Sequence, residues 1–362
     1  HHLDERTPAK AMLEVVAGIA GLHAQVMSSA ELTLEARVEG LEPGAVRRAL
    51  WEERSLVKTW AMRGTLHLLP AAEFPMWQAA RSTRRWWETG SWQRGFGVTL
   101  DELERLNDAV AQALDGQLLT REELADRVGK LTRSKELGGK LRESWGALLK
   151  PAAALGLICF APSQGQQVRF TRPDTWLGGW TSHDPAEAMD QVTRRFLAAS
   201  GPVTREDFAR WWGIPSPAQG RKLLERLGEE VARVEVEGAA AYALAADLPG
   251  LTAAGAGGSP TVRLLPAFDQ YVVTATLHAE RLMPGPFKAR VYRPQGWLSP
   301  VLLVGGRMEG VWTQEVKGRR VQVTIEPFAG PLPARVRRAA EAEAERLAGV
   351  AGGQLELRWA DA

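Results

Sequence analysis

A short pattern of hydrophobic and polar residues occurs twice along the chain. Residues 119–125 have the sequence LTREELA, and residues 203–209 have the sequence VTREDFA. In both copies a threonine is followed three positions later by an acidic residue, which is the spacing of a capping box at the start of a helix. We therefore predict that Thr120 and Thr204 each begin a helix.

The pattern that follows each copy changes from helical spacing to alternation. A second amphipathic helix is predicted over residues 140–154 and, in the other copy, over residues 219–228. The alternating segments predict two hairpins, one from residues 156–160 and 167–171 and one from residues 231–236 and 240–245. Helix, turn, helix and hairpin together form a winged helix, a small fold that mainly binds DNA and sometimes protein.

The N-terminal part has the same order of patterns. Thr7 and Pro8 favour the start of a helix, because threonine caps helices and proline suits the first helical position. Two further helices are predicted around residues 28–38 and 43–53. A hairpin of residues 56–61 and 65–69 around Arg63 and Gly64 then closes a third winged helix.

The C-terminal part is richer in strands. Residues 251–260, rich in glycine and alanine, are predicted to be a linker. The strands expected after it are residues 262–265, 271–274, 301–304, 310–313 and 321–325, followed by a helix over 332–347 and a last strand over 355–359. The predicted fold is therefore α+β, with three tandem winged-helix motifs and a small C-terminal β-barrel-like domain. The expected domains are residues 1–97, 98–180, 181–250 and 251–362.

Composition limits the class of protein. The longest apolar runs fall well short of the roughly 20 residues that span a bilayer, so no membrane association is expected. Cys159 is the only cysteine and lies in an apolar run, which excludes an internal disulfide and predicts a buried thiol. We expect neither a zinc site nor another cofactor. We expect a cytoplasmic location. The net charge of +2 and the pI of about 8.8 permit a polyanionic partner without requiring one.

Four segments carry a resemblance to a known family. They are residues 21–30, residues 57–69, which contain RGTLH, residues 264–269 with the sequence LLPAFD, and residues 296–300 with the sequence GWLSP. Together they make nearly the whole chain resemble the AlkZ-type alkylpurine DNA glycosylases, a bacterial group of tandem winged-helix proteins. The resemblance implies base excision repair: hydrolysis of the N-glycosidic bond of N7- or N3-alkylated purines in double-stranded DNA, including bulky or crosslinking adducts.

The same resemblance locates candidate catalytic residues. The family's motif is glutamine, one residue, then glutamine or aspartate, and the matching positions here are His23, Ala24 and Gln25. A neutral His23 could accept a proton from the attacking water, and Gln25 could orient that water or hold the deoxyribose. Residues 23 and 25 point the same way only outside a helix, so we predict that they lie at a helix entrance. In the alternative interpretation, both side chains only satisfy local backbone groups.

Basic and polar residues predict where DNA is held. Residues 81–87, together with Trp92 and Arg94, mix cations and aromatics as phosphate-binding surfaces do, although a helix with core tryptophans and solvated arginines fits equally. The turn at residues 163–167 could enter a minor groove. A basic series in the same module is either the main DNA-positioning surface or a solvated face; it consists of Arg121, Arg127, Lys130, Arg133 and Lys135. The predicted DNA-contacting residues are Arg63, Arg84, Arg85, Arg133, Lys135, Gln164, Gln166, Gln167, Arg169 and Arg172.

Two further residues are secondary candidates for the site. His67, in an alternating strand, is either solvent-facing or directed into the same groove, with a structural or secondary role favoured. Asp269 either stabilises developing positive charge on the sugar or, as favoured, caps a turn. The chain shows no heptad pattern for dimerisation, so a monomer is expected. The competing hypothesis is a winged-helix protein without catalytic activity, either a transcription regulator or a damage-binding module.

Overall fold

The computed structural model of the protein describes residues 1–144, 146–253, 260–283 and 285–360. The chain forms two compact units. One consists of residues 1–43 together with residues 246–362, and the other of residues 44–245. The division into four domains expected from the sequence stays a prediction.

The strands of the described residues are short in the first half of the chain and longer near its end. In chain order they are β1 (Thr7–Pro8), β2 (Leu22–His23), β3 (Val38–Glu39), β4 (Leu56–Trp60), β5 (Leu66–Pro70), β6 (Leu119–Thr120), β7 (Cys159–Gln164), β8 (Gln167–Thr171), β9 (Val231–Val236), β10 (Ala239–Leu244), β11 (Val262–Leu265), β12 (Val301–Val304), β13 (Arg307–Lys317), β14 (Arg320–Pro327) and β15 (Gln354–Trp359).

The helices lie mostly between residues 74 and 225. In chain order they are α1 (Met12–Gly18), α2 (Met27–Glu35), α3 (Ala45–Trp51), α4 (Phe74–Ser82), α5 (Gly90–Phe96), α6 (Leu100–Leu114), α7 (Arg121–Leu131), α8 (Lys135–Glu143), α9 (Lys150–Ala154), α10 (Pro173–Leu177), α11 (Pro185–Ser200), α12 (Arg205–Trp212), α13 (Pro217–Glu225), α14 (Leu248–Ala253), α15 (Gln270–Thr274), α16 (Ala279–Leu282), α17 (Lys288–Val291) and α18 (Ala334–Val350). No helix in these described ranges combines the length and apolarity needed to cross a membrane.

In the unit of residues 44–245, both predicted capping boxes are confirmed. The side chain of Thr120 accepts a hydrogen bond from the N–H of Glu123, and the Glu123 carboxylate accepts one from the N–H of Thr120. Thr204 and Asp207 make the same reciprocal pair at the start of α12. Each box accepts hydrogen bonds from N–H groups that have no acceptor within the first turn of the helix.

The three predicted hairpins are also present in this unit. β4 pairs with β5, β7 with β8 and β9 with β10, all antiparallel, and β6 adds to the edge of β8. Cys159 at the start of β7 is fully buried, as predicted, and burial raises the pKa of its thiol. The hydrophobic core below this sheet includes Leu124, Leu149 and Phe170.

The single helix predicted over residues 140–154 is wrong. α8 ends at Glu143 and α9 begins at Lys150, with Gly146 between them at φ = +85°. A Cβ at Gly146 would lie 3.1 Å from the Trp60 ring, so this left-handed turn requires glycine. Pro151 also restricts the residue before it and suits the first turn of a new helix.

In the unit of residues 1–43 and 246–362, a five-stranded sheet has the order β11-β12-β13-β14-β15. Its neighbours are antiparallel except for the parallel pair β14 and β15. Alternate residues of β12 serve two cores: Leu302 packs with α18, while Val301 and Leu303 pack on the opposite face. The sheet is open among the described residues, so the predicted barrel is not confirmed.

Three further expectations in this unit are corrected. Residues 271–274 were expected to be a strand because of their β-branched side chains, yet they form α15, which Asp269 caps. Thr7 and Pro8 do not open a helix: they form β1, parallel to β3, and the first helical residues are a 3-10 turn at Ala9–Ala11. The predicted linker is helical up to Ala253, and its residues 254–259 lie outside the described residues.

Candidate active site

The candidate catalytic motif lies where β2 ends and α2 is about to begin. His23 is the last residue of β2, and Gln25 is in a bend two residues before Met27, the first residue of α2. Gly21, at φ = +90°, lets the chain turn into β2. The predicted helix entrance is therefore confirmed. His23 is only 6% exposed, whereas Gln25 is exposed to solvent.

His23 is held by an aromatic neighbour from the same unit. Its ring stacks on Phe268, with centroids 5.2 Å apart and an angle of 15° between the rings. Phe268 in turn meets Trp297 edge to face, with centroids 4.9 Å apart. Trp297 is 47% exposed, so this aromatic stack of His23, Phe268 and Trp297 leads from a buried imidazole to the surface. The resemblance pointed to these segments, but only the structure brings the three side chains together.

Asp269 forms a buried ion pair that the sequence did not indicate. Nη1 and Nη2 of Arg37 donate to Oδ2 and Oδ1 of Asp269, each at 2.8 Å, and both side chains are 0% exposed. Oδ1 also accepts the N–H of Tyr271 at 2.9 Å. The capping role favoured for Asp269 is thus confirmed, and the charge of Arg37 compensates its carboxylate. A lone arginine in the apolar segment before β3 was the available signal for such a partner.

His67 is fully buried in β5, so the alternative in which it faces solvent is wrong. Its Nδ1 lies 3.0 Å from the carbonyl oxygen of Thr65, a distance at which a protonated Nδ1 donates a hydrogen bond. This contact fits the structural role favoured from the sequence. In the described ranges, no three His, Cys, Asp or Glu residues are grouped as a metal site would require.

The basic and aromatic segment of residues 81–94 matches neither of the two expected descriptions fully. Trp87 is buried, as in the core alternative, but Arg81 is also buried, with 7% of its surface exposed. Arg84 is half-buried and donates to the carbonyl oxygen of Trp212. Arg85 and Arg94 are exposed, and Arg85 pairs with Glu88 at 2.6 Å.

Polar side chains at the tip of the β7–β8 hairpin are free of the core. Gln164, Gln166 and Gln167 are all exposed around Gly165, whose φ is +59°. Arg169 donates from Nε to the carbonyl oxygen of Pro162 at 2.7 Å, and Arg172 pairs with Asp174 at 2.5 Å. The two arginines therefore stabilise the hairpin and its exit, while the glutamines face outward.

A groove runs between α7 and α8, with a volume of about 660 Å³. Lys130, Arg133 and Lys135 line it and are exposed. Within the part of the chain that the structure describes, none of these three cations forms an ion pair, whereas Arg142 on the same groove pairs with Glu122 and Asp126. Gly138 allows the helices to approach, because a Cβ there would be 2.7 Å from the carbonyl oxygen of Ala125.

Comparison with known proteins identifies the class of protein as an enzyme that acts on DNA. The family model described as "DNA glycosylase AlkZ-like" matches residues 16–350. The chain therefore belongs to the AlkZ-like family of DNA glycosylases, which are hydrolases of N-glycosyl bonds.

Two comparisons with single proteins agree with this family. The chain is 36% identical over 354 residues to the "Interstrand DNA cross-link repair glycosylase" of Streptomyces sahachiroi, which covers 97% of this chain and 93% of that protein. It is also similar to the solved structure of Streptomyces sahachiroi DNA glycosylase AlkZ, with a TM-score of 0.89 and 34% identity. That match covers 99% of this chain and 96% of the other.

Proposed function

We propose that this glycosylase releases N7- or N3-alkylated purines from double-stranded DNA, and that bulky or crosslinking adducts are among its substrates. Alkylation at either nitrogen makes the purine cationic, so it leaves readily as a neutral base. Crosslinked substrates are supported by the relative in Streptomyces sahachiroi, which is named an interstrand DNA cross-link repair glycosylase. Unmodified purines are poor leaving groups and are not expected substrates.

The observation that carries this proposal is the placement of His23 beside Gln25 at the entrance of α2. His23 is fixed against Phe268 and Gln25 is open to solvent, so one residue is held and the other is accessible to DNA. A water bound between them would have a proton acceptor in the imidazole and a hydrogen-bond partner in the amide. Neither of these two contacts to the water requires an additional negatively charged side chain.

The chemistry balances without a cofactor. As the bond from C1′ to N9 breaks, its electron pair passes to the purine and cancels the positive charge of the alkylated ring. The water oxygen then bonds to C1′ of the oxocarbenium-like sugar. His23 accepts the proton that this water loses and returns it to solvent. The products are an abasic deoxyribose and a neutral alkylpurine.

We further propose that each helix–helix–hairpin segment is a winged helix and that the second one positions DNA. The groove cations Lys130, Arg133 and Lys135 suit phosphate contacts, because no carboxylate in the described residues pairs with them. The exposed glutamines of the β7–β8 tip carry no charge and are long enough to reach into a groove of DNA. One chain with several unlike modules fits one duplex, so we propose a monomer.

Single-turnover release of 7-methylguanine from a duplex tests the proposal. His23→Ala and Gln25→Ala should each lower the rate by about a hundredfold or more, the size of a positioned acid–base group, while DNA binding stays unchanged. Ser28→Ala is the matched control, since Ser28 is an exposed polar residue three positions further along the same segment. A duplex carrying an interstrand crosslink provides the second substrate.

The competing hypothesis gives a different result. If the wild-type chain binds the duplex but releases no base, from 7-methylguanine or from a panel of bulkier adducts, the protein is a DNA-binding module without this activity. If His23→Ala and Gln25→Ala release base at the wild-type rate, the catalytic assignment is wrong and the family activity resides elsewhere in the chain.

A further inference from the structure

A small cavity in the unit of residues 44–245 is lined by four cations. Arg63, Arg81, Arg84 and Lys150 come from three stretches of the chain and border a space of about 160 Å³. Two of its other lining residues are Trp86 and Trp212. We call this space the arginine pocket. It is smaller than the roughly 300–1,000 Å³ of common small-molecule sites, so it suits a compact group.

The charges in the arginine pocket are not compensated. No carboxylate lines it, and in the ranges that the structure describes none of the four cations lies within 4.0 Å of one. Burial, with a contribution from Arg84, lowers the pKa of Arg81 to about 9. Burial likewise lowers the pKa of Arg63 to about 10. Burial also lowers the pKa of Lys150, and the nearby charge of Arg81 lowers it further. Like charges at buried and half-buried positions without a counter-charge are costly, so their clustering points to an anionic occupant.

The pocket is also built in advance. Arg63 donates to the carbonyl oxygen of Trp211 at 3.2 Å, and Arg84 donates to that of Trp212 at 3.3 Å. Both carbonyls belong to the last turn of α12, where the helix dipole favours cations. Gly213 follows at φ = +82°, and a Cβ there would lie 2.8 Å from Nη1 of Arg84. These carbonyl oxygens therefore fix the guanidinium groups of Arg63 and Arg84, and the remaining N–H donors of both groups are available to the cavity.

We propose that the arginine pocket binds a phosphate group. Four cations without a carboxylate match a tetrahedral anion of one or two charges, and guanidinium groups recognise phosphate oxygens in pairs. The phosphate comes either from the DNA backbone or from free phosphate in solution. The first source rests on the proposed action on DNA, whereas the second does not.

The first arm of the test uses inorganic phosphate. Wild-type melting temperature should rise in phosphate relative to chloride at equal ionic strength, because phosphate binds only the folded state. Arg81→Met should lose that rise. Lys222→Met, which removes an exposed cation outside the pocket lining, should keep it. Should Arg81→Met fold poorly, Lys150→Gln replaces it, since Lys150 is less buried.

The second arm uses an undamaged duplex, so it does not depend on base release. If DNA supplies the phosphate, the slope of log K against log salt should become shallower by about 0.9 in Arg81→Met, the value for one lost contact on B-DNA. A phosphate-specific rise in melting temperature with an unchanged slope assigns the pocket to free phosphate. Absence of both the rise and the change in slope overturns the proposal. Loss of 7-methylguanine release alone would affect only the proposed function.

Discussion

The guanidinium group of Arg37 and the carboxylate of Asp269 form a doubly hydrogen-bonded ion pair, and neither side chain has any exposed surface. Asp269→Asn keeps the cap of α15 but leaves the charge of Arg37 buried without a counter-charge. We expect it to lower the free energy of unfolding by about 3–5 kcal/mol. Urea denaturation followed by circular dichroism measures this change.

An exposed pair provides the control for this prediction. Arg194 and Glu230 also form two hydrogen bonds of 2.7 Å, but their side chains are 38% and 52% exposed. Glu230→Gln should therefore change the free energy of unfolding far less than Asp269→Asn does. Equal effects of the two substitutions would show that burial of the Arg37–Asp269 pair does not determine its contribution.

The capping box of α7 gives a second prediction. Thr120→Ala removes the oxygen that accepts the N–H of Glu123 and should lower the free energy of unfolding by about 1 kcal/mol. Thr120→Ser keeps a hydroxyl at the same place, and most of the stability should remain. Thermal unfolding of the two variants compares them directly, and an equal loss in both would mean that the threonine methyl group matters rather than the cap.

Lys58 in β4 gives a prediction about pH. Burial lowers the pKa of Lys58 from 10.5 to about 8, and its ammonium lies 5.4 Å from the centre of the Phe160 ring. Between these two pH values the unfolded chain binds a proton at Lys58 that the folded chain does not, so stability rises with pH. The penalty is fully present below pH 8 and disappears above pH 10.5.

Lys58→Met should therefore be more stable than the wild type at pH 7, with an advantage that shrinks as the pH rises from about 8 to about 10. Urea midpoints at several pH values measure the difference. A constant difference across this range would show that the gain comes from packing of the methionine and not from removal of a desolvated charge.

His23→Gln tests whether His23 accepts the proton of the attacking water or only orients that water. Glutamine at this position restores the motif more common in the family, and it can orient a water without accepting its proton. The wild-type rate should fall towards acid pH, because a protonated imidazole cannot accept the proton of the attacking water. His23→Gln should retain slower release that no longer depends on pH in this range. Single-turnover pH profiles decide the matter, and an acid limb that persists in the variant argues against His23 as the base.

Local signals explain what could be predicted from the sequence. The capping residues Thr120 and Thr204 act within four residues of chain, and the hairpins follow from alternation and glycine turns, so all of them were found. The entrance of α2 at Gln25 followed from a chemical requirement added to a family motif.

Features that depend on distant parts of the chain were missed. Residues 271–274 have the β-branched composition of a strand, but the cap from Asp269 and the packing of Val272 decide for a helix. Arg37 and Asp269 are 232 residues apart, and no local pattern links them. The four cations of the arginine pocket come from three separate stretches of the chain in the same way. Such contacts exist only once the fold has brought the elements together.

The discontinuous unit has a consequence for biosynthesis. His23 lies in its first segment, residues 1–43, while Phe268 and Arg37's partner Asp269 lie in its second, which begins at residue 246. During translation the ribosome releases residues 44–245 as a contiguous sequence before the second segment is made. The N-terminal segment must then wait, unpaired with its core, for about two hundred residues of synthesis. A chain released early would carry the whole of residues 44–245 and the His23 motif, yet lack the aromatic surface that holds the imidazole in place.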